Sequence, residues 1–177
     1  MNEVAVLVVD MLNDFIDGEL GFEGAKAIIG PINDLASKIR DKGGMVVFCN
    51  DCHTPEDGEF KKWGPHAVEG TWGCQICPEV ENFPTDYIVP KRRYSGFFQT
   101  SLNLLLQEHR IRKVIVVGLH TDMCVRHTAA DAFQWGYEVI VPTDCVASFD
   151  KKDKNDALEY MRKVYDASTP FMRNIEI

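Results

Sequence analysis

Cys124 sits where sulfur chemistry is easy to arrange. Upstream of it, Val114-Ile-Val-Val117 is an apolar, largely β-branched run, and Gly118 follows directly. Such a run is expected as a buried strand, and the glycine allows a sharp turn. Thr121 is a suitable N-cap, and Val125, Ala129, Ala132 and Phe133 recur at helical spacing before Gly136 stops the pattern. Cys124 is therefore expected in the first turn of a helix, just beyond the carboxyl end of a strand. Backbone N–H groups and the helix dipole there favour a thiolate. The same N–H groups could hold the oxyanion formed when that sulfur attacks a carbonyl. A small apolar side chain packing a helix start accounts for the residue equally well.

Other reactive groups follow other strands. Val4-Ala-Val-Leu-Val-Val9 runs into Asp10, Met45–Phe48 leads to Asp51 and His53, and Tyr87–Pro90 leads to Lys91. In open parallel sheets, ligands bind outside the carboxyl ends of the strands, near the switch in strand order. Four strands thus deliver capable groups to one edge. Between them, Ile32, Leu35, Ala36 and Ile39 mark a helix ending at Lys42-Gly43-Gly44, and Leu102, Leu105 and Leu106 mark another. Val139–Pro142 reads as a further strand, Asp156–Val164 as a helix, and Phe171–Ile177 as a last, edge strand. The alternation predicts a single α/β domain over residues 1–177. Its sheet would be parallel and doubly wound, with about five to six strands and helices on both faces. Residues 50–83 form a connection too long to be idle.

A net charge of −8, with basic residues scattered, gives no footprint for nucleic acid or an anionic membrane surface. The amino terminus enters a strand too short to cross a bilayer, with no leader pattern, so a cytoplasmic protein is expected. Cys49-x-x-Cys52 and Cys74-x-x-Cys77 are separated by 21 residues. That spacing raises a rival from another class, a non-enzymatic zinc or redox module. The rival competes with simple packing, since Cys49 ends an apolar strand.

Three blocks carry a family resemblance: Val8-Val-Asp10-Met-Leu-Asn13-Asp14-Phe15, Pro90-Lys91-Arg-Arg-Tyr94-Ser95-Gly-Phe97 and Gly118-Leu-His120-Thr-Asp-Met-Cys124-Val125. In order and spacing they resemble the nicotinamidase–isochorismatase family of cysteine hydrolases. The resemblance implies Cys124 as nucleophile, Asp10 as general base and acid, and Lys91 as the cation completing a triad. It also implies an oxyanion hole from the backbone N–H groups of His120 and Cys124, with a cis peptide between Leu119 and His120. Asp51-Cys-His53, Glu59 and Trp63-Gly-Pro-His66 look like the metal block of nicotinamidases, which isochorismatases and N-carbamoylsarcosine amidases generally lack. Carried over, Asp51, His53 and His66 are ligands to one divalent transition metal, zinc first, with iron or manganese as alternatives, and Glu59 is a possible fourth ligand. Phe15 and Trp63 match the aromatic residues that sandwich the substrate ring. The resemblance thus implies hydrolysis of nicotinamide, and of pyrazinamide, to the acid and ammonia through a thioester. The enzyme alternative is a relative acting on another small amide, such as N-carbamoylsarcosine. A homo-oligomer, dimer or tetramer, is implied as well. Two positions depart from the pattern. Leu12 replaces a common glutamine, and His120 stands where a small residue is usual, which bears on substrate preference more than on the chemistry.

Overall fold

Val4–Val9 (β1) is buried along its whole length because strands flank it and helices cover both its faces. The computed structural model describes residues 3–176. Its other strands are β2 (Met45–Asp51), β3 (Tyr87–Lys91), β4 (Lys113–Leu119), β5 (Glu138–Ile140) and β6 (Val146–Ala147). They form one parallel sheet in the order β3-β2-β1-β4-β5, with β6 pairing the last two residues of β4. The helices are α1 (Asn13–Ile16), α2 (Glu23–Ala27), α3 (Ile29–Asp41), α4 (Phe60–Trp63), α5 (Leu102–Glu108), α6 (Arg126–Gln134) and α7 (Lys151–Tyr165). The expected doubly wound architecture is the one observed.

The pleat of β1 divides the core. Val4, Val6 and Val8 pack with Ile32, Leu35 and Ile39 of α3. Ala5, Leu7 and Val9 pack with Leu102 and Leu106 of α5, Ala129 and Ala132 of α6, and Leu158 and Met161 of α7. Successive strand residues face opposite ways, so an unbroken apolar run is what a strand covered on both sides requires. The chain leaves β1 to build β2 and β3 on one side, then crosses to build β4 on the other. The switch point lies between the carboxyl ends of β1 and β4.

Several boundaries differ from the sequence reading, and three of them bear on the site or its frame. β2 continues past Phe48 to Asp51, and β3 includes Lys91, so both polar residues are held on strands rather than in loops. α7 begins at Lys151, a turn before Asp156, because the Asp150 side chain caps it by accepting from the Lys152 N–H. The expected edge strand over Phe171–Ile177 does not form. The chain touches the β5 edge as a single bridge at Ser168, and Pro170 has no N–H to extend a ladder. Met172–Asn174 instead makes a 3-10 turn, and Ile177 lies outside the described residues.

Gly118, near the end of β4, has φ +106°. A Cβ there would lie 2.0 Å from the Val9 carbonyl oxygen. The two central strands can approach at the switch point only because this residue has no side chain. Gly118→Ala is therefore expected to destabilise the fold by at least roughly 2 kcal/mol, through strain and collision. That corresponds to a fall in Tm of about 4–8 °C for a chain of this size, measurable by calorimetry. An unchanged Tm would show that the strands can part at no cost.

Candidate active site

Asp10 leaves β1 with φ +53°, a left-handed conformation that aspartate tolerates better than most residues. Its N–H donates to the Cys49 carbonyl at 3.2 Å, and its Oδ1 accepts the Asp51 N–H at 2.7 Å. On the neighbouring strands, Asp51 and Lys91 are in register. Lys91 Nζ lies 2.8 Å from Asp10 Oδ2 and 2.6 Å from Asp51 Oδ1. It also lies 3.6 Å from Cys124 Sγ. All four residues are buried, so the structure brings the three sequence-predicted triad residues, together with Asp51, into one contact group.

The electrostatics follow from that crowding. Burial works against the Lys91 ammonium, but Asp10, Asp51 and Cys124 outweigh it and hold its pKa well above the usual lysine value. Burial also opposes ionisation of Asp51, yet Lys91 and His53 keep its carboxyl below the usual range. For Asp10, burial and then the Asp51 charge win over Lys91 and raise the pKa to about 7. Burial pushes the Cys124 thiol well up, opposed by Lys91 and reinforced by Asp10 and Asp51.

The expected resting thiolate is thus not supported: burial and two carboxylates outweigh one ammonium. Nor does Thr121 cap a helix. Its hydroxyl is buried without a partner. Thr121–Val125 forms a π turn, in which the Val125 N–H reaches back to the His120 carbonyl at 3.1 Å. The wider turn places Thr121 inside the first turn rather than ahead of it. The peptide between Leu119 and His120 is cis, as the resemblance implies.

Asp51 also faces a second group. One ligand atom from each of Asp51, His53 and His66 lies within 4.8 Å of the others, and all three residues are buried. Asp51 Oδ2 is 3.5 Å from His53 Nε2 and 3.9 Å from His66 Nε2. On the far side of each ring, His66 Nδ1 lies 2.8 Å from the Gly64 carbonyl oxygen, and His53 Nδ1 lies 3.2 Å from Asp57 Oδ2. The Gly64 carbonyl can only accept, so it selects the His66 tautomer that leaves Nε2 free to ligate. The His53 ring nitrogens make no well-directed hydrogen bond. One carboxylate and two imidazoles converging on one point fit a divalent transition metal. Glu59 lines the same cavity but is not among the three convergent groups.

Asp57 is absent from the sequence reading. Its buried carboxylate contacts His53, Arg92 and Arg93. His53-x-x-x-Asp57 was visible as a spacing, but in a charged loop nothing marked this aspartate as the buried one. The four cysteines of the rival module do not converge. Cys49, on β2, packs in the core on one face of the sheet, and Cys77, in the connection before β3, packs in the core on the other.

Phe15, Trp63, His66, His120, Phe149 and Cys124 line one cavity. Trp63 Nε1–H donates to the Tyr94 hydroxyl at 3.0 Å, and Phe15 meets the His66 ring edge-on at 5.6 Å. The free volume is about 20 Å³, room for a single water molecule. Phe149, 49% exposed, stands where the cavity meets the surface. Tyr94 lay within a motif already singled out. Phe149 carried no sequence signal.

Residues 4–169 match the model of the isochorismatase domain. The chain belongs to the isochorismatase family. Among solved isochorismatase-like structures, the N-carbamoylsarcosine amidase of Thermoplasma acidophilum is 38% identical, with a TM-score of 0.92 over 98% of this chain and 99% of that one. The pyrazinamidase of Pyrococcus horikoshii in complex with zinc is 31% identical, with a TM-score of 0.90 over 96% of this chain and 99% of that one. The nicotinamidase/pyrazinamidase of Mycobacterium tuberculosis is 31% identical over 175 residues, covering 89% of this chain and 94% of its own. This isochorismatase-family protein is accordingly a hydrolase with amidohydrolase relatives, and no helix among its described residues is long and apolar enough to cross a membrane.

The convergent group predicts about one divalent metal ion per chain, for which zinc serves as the probe. His53→Ala should weaken zinc binding by more than about a hundredfold, beyond the loss seen on removing second-sphere partners, as read by calorimetric titration. Cys49→Ser and Cys77→Ser should leave it intact. Binding that follows the cysteines instead would overturn the site.

Proposed function

We propose that this protein is a nicotinamidase that hydrolyses nicotinamide, and pyrazinamide, to the acid and ammonia. One observation carries the reading: Asp51 joins the Asp10–Lys91–Cys124 group to the His53–His66 group, in a cavity lined by Phe15 and Trp63.

In this mechanism Cys124 rests as a thiol. Asp10, as a carboxylate, takes the thiol proton while Sγ attacks the carboxamide carbon. The backbone N–H groups of His120 and Cys124 receive the oxyanion. Asp10 then returns the proton to the amide nitrogen, the C–N bond breaks and ammonia leaves a Cys124 thioester. Water attacks the thioester, Asp10 accepts its proton and passes it to Sγ, and the acid departs. Lys91 stays charged throughout and stabilises the anions around it. A divalent metal held by Asp51, His53 and His66 would supply a Lewis-acidic anchor for a ring nitrogen of the substrate. Phe15 and Trp63 would position the ring, each stacked pair adding roughly 0.5–1.5 kcal/mol beyond area burial.

A second reading, a small aliphatic amide such as N-carbamoylsarcosine, is favoured by the narrowness of the cavity and by the 38% identity to the Thermoplasma acidophilum amidase. Ammonia release from zinc-loaded protein separates the two. Hydrolysis of nicotinamide and pyrazinamide, with little of benzamide, is expected, because sites built for a polar group reject analogues lacking it. Cleavage of the carbamoyl compound alone would replace the first reading with the second.

Cys124→Ala and Asp10→Asn should each lower kcat by more than about a thousandfold while leaving the protein folded. A fully active Asp10→Asn protein would remove Asp10 from the role of proton carrier. The sign of the pH dependence follows from the raised Asp10 pKa. Only the carboxylate accepts a proton, so kcat/KM should fall as pH drops through about 7. A flat profile from pH 8 to pH 5 would exclude a base with that pKa.

A further inference from the structure

Both ring nitrogens of His120 are buried without a hydrogen-bond partner, in a residue only 3% exposed. The ring is stacked between Phe149, at 4.2 Å between centroids and 29°, and Phe22, at 5.2 Å and 23°. Phe15 meets it edge-on at 5.9 Å. These three apolar rings fix the plane of the imidazole and offer it nothing to hydrogen-bond. Burial also pulls its pKa down to about 4, so the ring is neutral at ordinary pH, with one nitrogen a donor and the other an acceptor.

Packing alone does not explain such a residue. Every ring around it is phenylalanine, and a fourth phenylalanine would complete the stack without leaving two polar atoms unpaired. Buried polar groups are otherwise nearly always partnered, and the exceptions need a reason. The reason lies in the cavity that His120 lines with Cys124, Phe15 and His66.

We propose that the His120 side chain is the specificity-determining group of the pocket, hydrogen-bonding a second polar atom, nitrogen or oxygen, on the acyl part of the amide substrate. The inference rests on the amidohydrolase reading above and narrows it. The favoured substrates are small amides whose acyl part carries one polar atom more than a simple pyridine or alkyl chain. Diazine carboxamides and short ureido acids both have that chemistry.

The test compares matched pairs on zinc-loaded protein. Nicotinamide and pyrazinamide share one ring outline, with a C–H replaced by nitrogen. Propylurea and N-carbamoylglycine form the aliphatic pair. The wild type should favour the more polar member, by about five- to tenfold in kcat/KM for the ring pair, the span of one neutral hydrogen bond, and by more for the aliphatic pair, whose polar member carries a charged carboxylate. The preference should reside mainly in KM, because the contact is made in ground and transition states alike. His120→Phe keeps the stack and should bring the ratio to about one, with a Tm equal to or above the wild type. His120→Gln, which can donate and accept, should recover part of the ratio. The ratio cancels any loss common to both members. If the Phe variant does not fold, His120→Leu takes its place.

A wild-type ring-pair ratio near one, or a ring-pair ratio unchanged in His120→Phe, would overturn the inference while leaving the nicotinamidase reading intact; the same result in the aliphatic pair alone would overturn both. Hydrolysis of N-carbamoylglycine but not of either ring amide, with the ratio lost in His120→Phe, would overturn the nicotinamidase reading and support the inference. No hydrolysis of any member would overturn both.

Discussion

Lys91 carries its charge into the interior at the carboxyl edge of the sheet, where Asp10 and Asp51 stand 2.8 and 2.6 Å from it. An ammonium at 1% exposure survives there only because two carboxylates and a thiol surround it. Removing one partner from such a buried group typically costs about 3–5 kcal/mol, because the others are left uncompensated. The neighbouring structure conforms to this arrangement. Asp10 adopts a left-handed backbone that turns its carboxylate to Lys91 while its Oδ1 holds the Asp51 N–H. Asp51 keeps its charge because Lys91 and His53 share it. Burial and the two carboxylates outweigh the one cation beside Cys124 and hold its thiol pKa above the usual range.

That balance divides the work of the proposed reaction. A carboxylate whose pKa has risen towards neutrality is suited to carry a proton in both directions. A carboxylate held below the usual range is suited to stay charged beside an electrophile. Asp10 is the first kind and Asp51 the second, although they are linked by a hydrogen bond. Asp51 has one oxygen towards Lys91 and the other towards the two imidazoles. Through it, the proton-carrying half of the site and the half that fits a metal become one unit. Asp57 extends the unit outward, tying His53 to Arg92 and Arg93 on the chain directly after Lys91.

The sequence by itself determined the sheet and the edge that matters. Unbroken apolar runs such as Val4–Val9 and Val114–Val117 could only be strands covered on both faces, and the polar residues after them had to gather at the carboxyl ends. Asp10, Lys91 and Cys124 were therefore legible as a group, and the resemblance to a metal block marked Asp51, His53 and His66 as a second one. Short-range chemistry decides such features, and it is written in neighbouring residues. Tertiary structure decided what depends on distance and burial. Whether Cys124 is thiol or thiolate turns on residues from three other strands. Sheet faces separate Cys49 from Cys77, which spacing alone would pair. Asp57 and Phe149 gained their places from long-range packing that no local pattern encodes. Ser168 and Pro170 show the same at the sheet edge, where an apolar tail becomes a turn because a proline follows the one bridging residue. The sequence marked His120 as unusual, but only the folded chain surrounds it with phenylalanine rings and leaves its nitrogens without partners, since solvation is a property of the assembled neighbourhood and not of the residue.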